Sequence, residues 1–331
     1  MGMKNGIGKI NFREIARELR ISVMTLYRVL NNEPSVRPET RKRVTEALNR
    51  YGFFTHKSSR EIRIIFDFCD HIYLHHYGTE LMQRLSHHDY TCIATDHRKN
   101  PRKFLDAAAE SDIIVYCSVP EDAVIREARE NNPEIYQISV YTPCSADIVV
   151  SSDNHLGGEL AAEHLHSFGH RHVAVYLSEQ HPTRFDRYHS FFARMKSLDP
   201  ECRIDRILEK RGDSLPEVCA RYFDSVRPMP TAIFLLTGGA AQKFHLEFLR
   251  EHREKLGNLS IMSYDHPENV AQDPEILTQF DRIEFLPGEI LDWTEFYIVN
   301  RPLMARRTPV RTCIKPTLRI AGSVRKAEHG S

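Results

Sequence analysis

The chain has 331 residues, and its 45 Lys and Arg are balanced by 45 Asp and Glu. That length exceeds one ordinary core and fits a small module joined to a larger two-lobed body. No stretch approaches the roughly 18 apolar residues of a membrane span, and the seven cysteines are scattered without a CxxC pair, which argues against a disulfide framework and a zinc centre. A soluble protein of the reducing cytoplasm, with no metal and no cofactor, is the expectation.

The charge is uneven along the chain. Residues 1 to 60 hold thirteen Lys and Arg against five Asp and Glu, and the remainder is acidic by the same margin of eight. Positive charge gathered at one end is what a module facing phosphates shows while the rest stays off them. Asn11 followed by Glu14 is a capping-box signature, and Ile15, Ala16 and Leu19 then share one helical face. Ser22 can cap a second helix with Leu26, Val29 and Leu30 inward and Met24, Thr25 and Arg28 outward. A third helix starts with Pro38 in its first turn, buries Val44, Leu48 and Tyr51, and stops at Gly52. Three short helices with a tight turn between the first two make a helix-turn-helix.

From Ile62 onward the chain alternates buried strands with amphipathic helices. The apolar runs at 62–68, 90–95, 112–118 and 134–141 are separated by helical patterns around 81–85, 104–109 and 123–128. A second series has strands at 172–178, 231–237 and 259–264, with helices near 160–165, 191–195, 218–223 and 244–249. The expected fold is an all-α headpiece followed by an α/β body of two doubly wound, parallel-sheet lobes, with a ligand held at the carboxyl ends of the strands. The expected division is residues 1–57 for the DNA-binding domain, 58–61 for a short linker and 62–331 for the body.

The stretch INFREIARELRISVMTLYRVLNNEPSVRPETRKRVTEALNRYGF resembles the DNA-binding headpiece of the lactose/galactose repressor (LacI/GalR) family. That resemblance implies a repressor of transcription that binds an inverted-repeat operator in double-stranded DNA as a homodimer. It places Val23, Met24 and Arg28 at the base-reading positions and Ser22, Thr25, Tyr27, Asn31 and Thr40 at the phosphate backbone. Arg28 can fork onto the O6 and N7 of a guanine, whereas Val23 and Met24 offer apolar contact, for instance to a thymine methyl. Arg37 stands where the family has a Ser or Thr cap, which gives up a cap bond and adds a cation within reach of a phosphate.

The body resembles the same family, whose body fold is that of periplasmic sugar-binding proteins. The marks are Ser152-Asp153-Asn154, Gly157-Gly158, Gly169-His170-Arg171-His172, Arg184 to Phe191, Ser263-Tyr264-Asp265 and Pro316-Thr317. The resemblance implies a small-molecule effector, commonly a carbohydrate, with Arg187 and Asp265 as its principal polar contacts. His71 and Tyr73, after the first strand, and Thr237, where the family has Asn, are the further candidates. It also implies that the chain crosses back to the first lobe near Arg282 to Asn300 and returns for its last strand.

Three departures set expectations of their own. Arg20 stands where the family's turn carries Gly, so a re-shaped turn is expected. The segment from Phe53 to Glu61 is several residues shorter than the family's linker and lacks its minor-groove wedge, so little or no hinge helix and a weaker DNA kink are expected. Leu236-Thr237-Gly238 replaces the family's Ala-Asn-Asp, leaving open a regulator that has lost its effector. The eighteen histidines form no metal-ligand spacing and read as solvated or capping residues. The absence of a Gly-x-Ser-x-Gly elbow and of a phosphate loop argues against an enzyme, and the alternative from another class is a free solute-binding protein or small-molecule enzyme whose basic N-terminus is incidental.

Overall fold

Three helices open the described part of the chain: α1 (Phe12–Glu18), α2 (Val23–Leu30) and α3 (Pro38–Arg50). The structure is a computed structural model, and it describes residues 12–30, 36–50, 62–69, 72–88, 90–178, 182–210, 212–265, 279–301 and 309–327. Ile15, Ala16, Leu19, Leu26, Val29, Val44, Ala47 and Leu48 close into one small core, as the helical spacing predicts, with Ala47 an addition. Asn11, Asn31, Tyr51, Gly52, the linker at 58–61 and His71 lie outside the described residues.

The turn between α1 and α2 is not re-shaped. Arg20 itself takes the left-handed conformation, φ 53°. The Ile21 amide reaches back to Ala16 O at 3.0 Å and the Arg20 amide to Arg17 O at 3.1 Å, the bond pair of a Schellman motif that glycine usually completes. Ile21 packs on the core just beyond it. The apolar contact and the two bonds hold a conformation that a side chain disfavours.

The body holds two six-stranded sheets. The first contains β1 (Ile62–Phe68), β2 (Tyr90–Thr95), β3 (Ile113–Cys117), β4 (Tyr136–Val140), β5 (Ile148–Ser152) and β11 (Val310–Ile314), in the order β11-β5-β4-β3-β1-β2. The second contains β6 (His172–Ser178), β7 (Arg203–Glu209), β8 (Ala232–Leu235), β9 (Ser260–Tyr264), β10 (Asp281–Glu284) and β12 (Thr317–Arg319), in the order β12-β10-β9-β8-β6-β7. Central strands such as β3, β4, β8 and β9 are buried at every residue, because helices cover both faces of a parallel sheet. Among the described strands, β12 departs from the parallel pattern by running antiparallel to β10.

The first sheet is covered on one face by α4 (Ile72–Leu85) and α11 (Pro287–Val299), through Leu81, Leu85, Ile290, Leu291 and Ile298. On the other face lie α5 (Pro101–Ala109) and α6 (Asp122–Asn131), through Phe104, Ala108, Ile125 and Ala128. In the second lobe, α7 (Asn154–Ser167) and α8 (Pro182–Leu198) share a core with β6, β8 and β9. The opposite face takes α9 (Leu215–Ser225) and α10 (Gly238–Lys243), which continues as a π-helical turn over Phe244–Leu249. The chain passes between lobes at three places, from Ser152 to Asn154, from Glu284 to Pro287 and from Ile314 to Thr317. The expected return near Arg282 is thus present, although residues 282–284 still belong to the second sheet.

Several histidines depart from the solvated reading. His75, His76, His87 and His88 are exposed, but His164 is buried with Nε2 2.7 Å from Asp281 Oδ2. His172 Nε2 meets Asp205 Oδ2 at 2.8 Å, and His170 is buried with Nδ1 2.8 Å from Thr231 Oγ1. These three pin strands and crossings of the second lobe. Among the described residues no helix is long and apolar enough to cross a membrane.

Candidate functional site

The outward face of α2 follows from its inward one. Leu26 and Val29 fill the headpiece core, so Met24, Tyr27 and Arg28 stand outside it; Met24 is 62% and Tyr27 45% exposed. Val23 is half-buried against that core and presents one edge only. Ser22 caps the helix: its Oγ accepts from the Thr25 amide at 3.0 Å and lies 2.8 Å from Thr25 Oγ1. On α3, Arg37 precedes Pro38 and is exposed, and Thr40 lies in the first turn, half-buried. The two helices therefore bring Ser22, Met24, Thr25, Tyr27 and Arg28 onto one short element, with Arg37 and Thr40 on the next.

The second site lies where the carboxyl ends of the strands meet between the lobes. Gly157 and Gly158 make room for it: a Cβ on Gly157 would strike the Tyr264 ring, and one on Gly158 would strike Ser190 and the Arg187 carbonyl. That close approach of α7 to α8 seats Arg187, which is buried although charged. Its Nε donates to Asn154 Oδ1 at 2.8 Å and its Nη1 to Leu236 O at 2.7 Å. The guanidinium lies 3.7 Å from the centroid of the Tyr264 ring, a cation–π contact.

Tyr264 ends β9, and its hydroxyl is 3.5 Å from Ser152 Oγ at the end of β5, so the two lobes touch at this point. Burial raises the Tyr264 phenol above its ordinary range. Asp265 follows at φ 145°, a backbone conformation rare outside glycine. Thr237 Oγ1 accepts from the Ala240 amide at 3.1 Å and so caps α10, while its proton stays available to donate. Tyr73 lies on α4. Asn154, Tyr264 and Arg184 were not assigned a role from the sequence. Their triplets stand out in it, but which of their side chains meets Arg187 depends on the crossing from β5 to α7.

A hydrogen-bonded trio at the top of the first sheet has the composition of a catalytic triad but not its wiring. Ser118 Oγ donates to Asp67 Oδ2 at 2.5 Å, and His97 Nδ1 lies 2.7 Å from the same oxygen. The carboxylate stands between Ser and His, so the imidazole cannot take the serine proton; the trio ties together the loops after β1, β2 and β3. Among the described residues no group of three or more His, Cys, Asp or Glu could hold a metal ion.

Residues 11–56 match the family described as "Bacterial regulatory proteins, lacI family". The amino-terminal module is thus similar to that of lacI-family proteins. The chain is 23% identical over 186 residues, 52% of its length, to the HTH-type transcriptional regulator GalS of Salmonella typhimurium, and so spans about half (54%) of that curated relative's length. The lacI-family fold extends through the body. The chain is similar to the lac repressor dimer bound to operator and the anti-inducer ONPF, with TM-score 0.63 and 14% identity over 96% of this chain and 99% of that one. It is similar also to the transcriptional regulator CelR in its cellobiose complex, with TM-score 0.60 and 15% identity over 97% and 100%. At such identities the likeness is one of fold.

Proposed function

We propose that this chain is a transcriptional regulator of the lacI family and of the repressor type. It acts in the cytoplasm as a homodimer on an inverted-repeat operator in double-stranded DNA and performs no catalysis of its own. The observation that carries the reading is the outward face of α2, where Met24, Tyr27 and Arg28 are exposed on a helix whose core is already complete. Arg28 supplies the forked donor for a guanine, with Val23 and Met24 as its apolar complement. Ser22, Thr25, Tyr27, Asn31, Arg37 and Thr40 fix the register on phosphates.

The cleft around Arg187 and Asp265 takes a small polyol, with Thr237, His71 and Tyr73 as further candidate contacts, and ligand binding alters lobe closure and hence headpiece spacing. The cellobiose-bound CelR and the operator-bound lac repressor, both of this fold, support the two halves of the reading. One observation favours a second reading, a regulator whose body only dimerises: Arg187 is already satisfied by Asn154 and Leu236. Ligand-dependent thermal stabilisation separates the two readings.

The DNA reading is tested by fluorescence anisotropy at fixed salt, with a fragment of the chain's own promoter against scrambled duplex. The wild type is expected to prefer its site, and Arg28→Ala to weaken that preference by about 10- to 100-fold, the equivalent of about 1–3 kcal/mol. Binding to scrambled duplex stays close to wild type. An equal loss on both duplexes counts against base readout.

A further inference from the structure

We propose that the effector is a polyol bearing one anionic group, a carboxylate or a phosphate, held between Arg184 and Arg187; this deepens the effector reading above and rests on it. Arg184 lies one helical turn before Arg187 on α8, and its Nη1 donates to Ser178 Oγ at 2.6 Å, at the end of β6. Both cations therefore reach the carboxyl edge of the second sheet. Their hydrogen-bond partners are the Ser178 hydroxyl, the Asn154 side-chain carbonyl and the Leu236 main-chain carbonyl, all uncharged. Among the described residues neither guanidinium makes an ion pair with a carboxylate.

Two acids lie within electrostatic range of Arg184, Glu209 and Asp265. Glu209 accepts the Tyr176 hydroxyl and is held on β7. Burial, and then the neighbouring Arg187 cation, push Arg184 below the ordinary arginine range. The first turn of α8 carries no acidic residue, so the positive end of the helix adds to the same field. Two like charges withdrawn from water with only neutral partners are destabilising, and an anion that accepts from both removes that penalty through charge-assisted bonds. Asp265, also within range of Arg184, favours hydroxyls and repels a second anionic group. The ligand class is thus one anionic group on a hydroxylated frame.

The test is titration calorimetry on the full chain with glucose, glucuronate, glucose 6-phosphate and inorganic phosphate. The carboxylate and phosphate arms distinguish the two sources of charge. At least one of the two charged sugars should bind ten-fold or more tighter than glucose. Arg184→Gln should erase that difference and Arg184→Lys restore part of it. If Arg184→Gln fails to fold, the wild-type ratio and the Lys variant still decide. Equal binding of glucose and both charged sugars overturns the anionic assignment and leaves the effector reading standing. Inorganic phosphate binding as tightly as the sugar phosphate overturns the hydroxylated frame. No binding by any probe overturns this assignment and the effector reading together.

Discussion

Arg20 sits at φ 53° in a turn whose two amide bonds and apolar contact match those that glycine would make. A non-glycine residue there costs roughly 1–2 kcal/mol, partly offset by the greater freedom glycine has when unfolded. Arg20→Gly is therefore expected to stabilise the headpiece by about 1 kcal/mol, read as slower hydrogen exchange of the Leu26 and Val29 amides in the full chain. Unchanged exchange would mean that Arg20 makes a compensating contact.

A second residue-scale effect concerns protons. Burial, opposed by a backbone hydrogen bond, pushes His170 down to about 4. A histidine held neutral when folded but free to protonate when unfolded contributes stability in full above its unfolded value near 6.5, and loses it as the pH falls from there to about 4. Up to roughly 3 kcal/mol is at stake. Urea unfolding at pH 7 and pH 4.5 should show a wild-type decline that His170→Asn flattens, and an equal decline in both proteins would assign it to other groups. The histidine-rich sequence gave no sign of this. Spacing tells a metal site from a non-site, but burial of His164 and His170 follows from elements brought together across long separations.

At the scale of elements, Asp281 at the start of β10 holds the segment after β12 in place. Its Oδ1 accepts from the amides of Ala321, Gly322 and Ser323 at 2.7, 2.6 and 3.1 Å, while Oδ2 meets His164. Gly322, at φ 89°, lets those amides converge into a nest. Burial would raise this carboxyl, but the His164 and amide bonds outweigh it and hold it below the usual range. The stabilisation is thus present above the unfolded carboxylate value near 4 and lost as the pH falls through the lower folded one. Asp281→Asn should cost about 3 kcal/mol, since a neutral amide both weakens the nest and turns a donor toward His164. A melting temperature equal to wild type would refute this account.

The strands show which elements the sequence discloses. The sequence ranges for β1, β2 and β6 coincide with the observed strands, because Ile62–Phe68, Tyr90–Thr95 and His172–Ser178 are dense apolar or β-branched runs. β7, β10 and β11 were missed, and β12 was expected only as a last strand without bounds. Each carries arginine within a short run, and β7, β11 and β12 lie at sheet edges where one side stays wet. β5 was recognised only by its last residue, Ser152, as part of a motif. Around the cleft, the motifs marked Arg187 and Asp265 as candidates, whereas Arg184 entered only as the first residue of such a motif and was given no role.

For the whole molecule, the proposed function requires any coupling between DNA and ligand to pass through the short segment before Ile62. Without a minor-groove wedge of the family's kind, the bound operator is expected to bend less than in relatives with a full linker. Circular-permutation gel shifts measure that bend directly, and a kink as sharp as that of such a relative would sink the expectation.

The three passages between lobes have a consequence for how the chain is made. The first sheet takes its outer strand from Val310–Ile314, after nearly all of the second lobe has been synthesised, and the second sheet waits for Thr317–Arg319. On the ribosome, therefore, neither lobe can complete its sheet while the carboxyl-terminal stretch is still within the exit tunnel. Only the headpiece, whose core ends at Leu48, has all its parts early. A transcript cut short would yield a polypeptide that carries the three-helix headpiece on a body with both sheets unfinished.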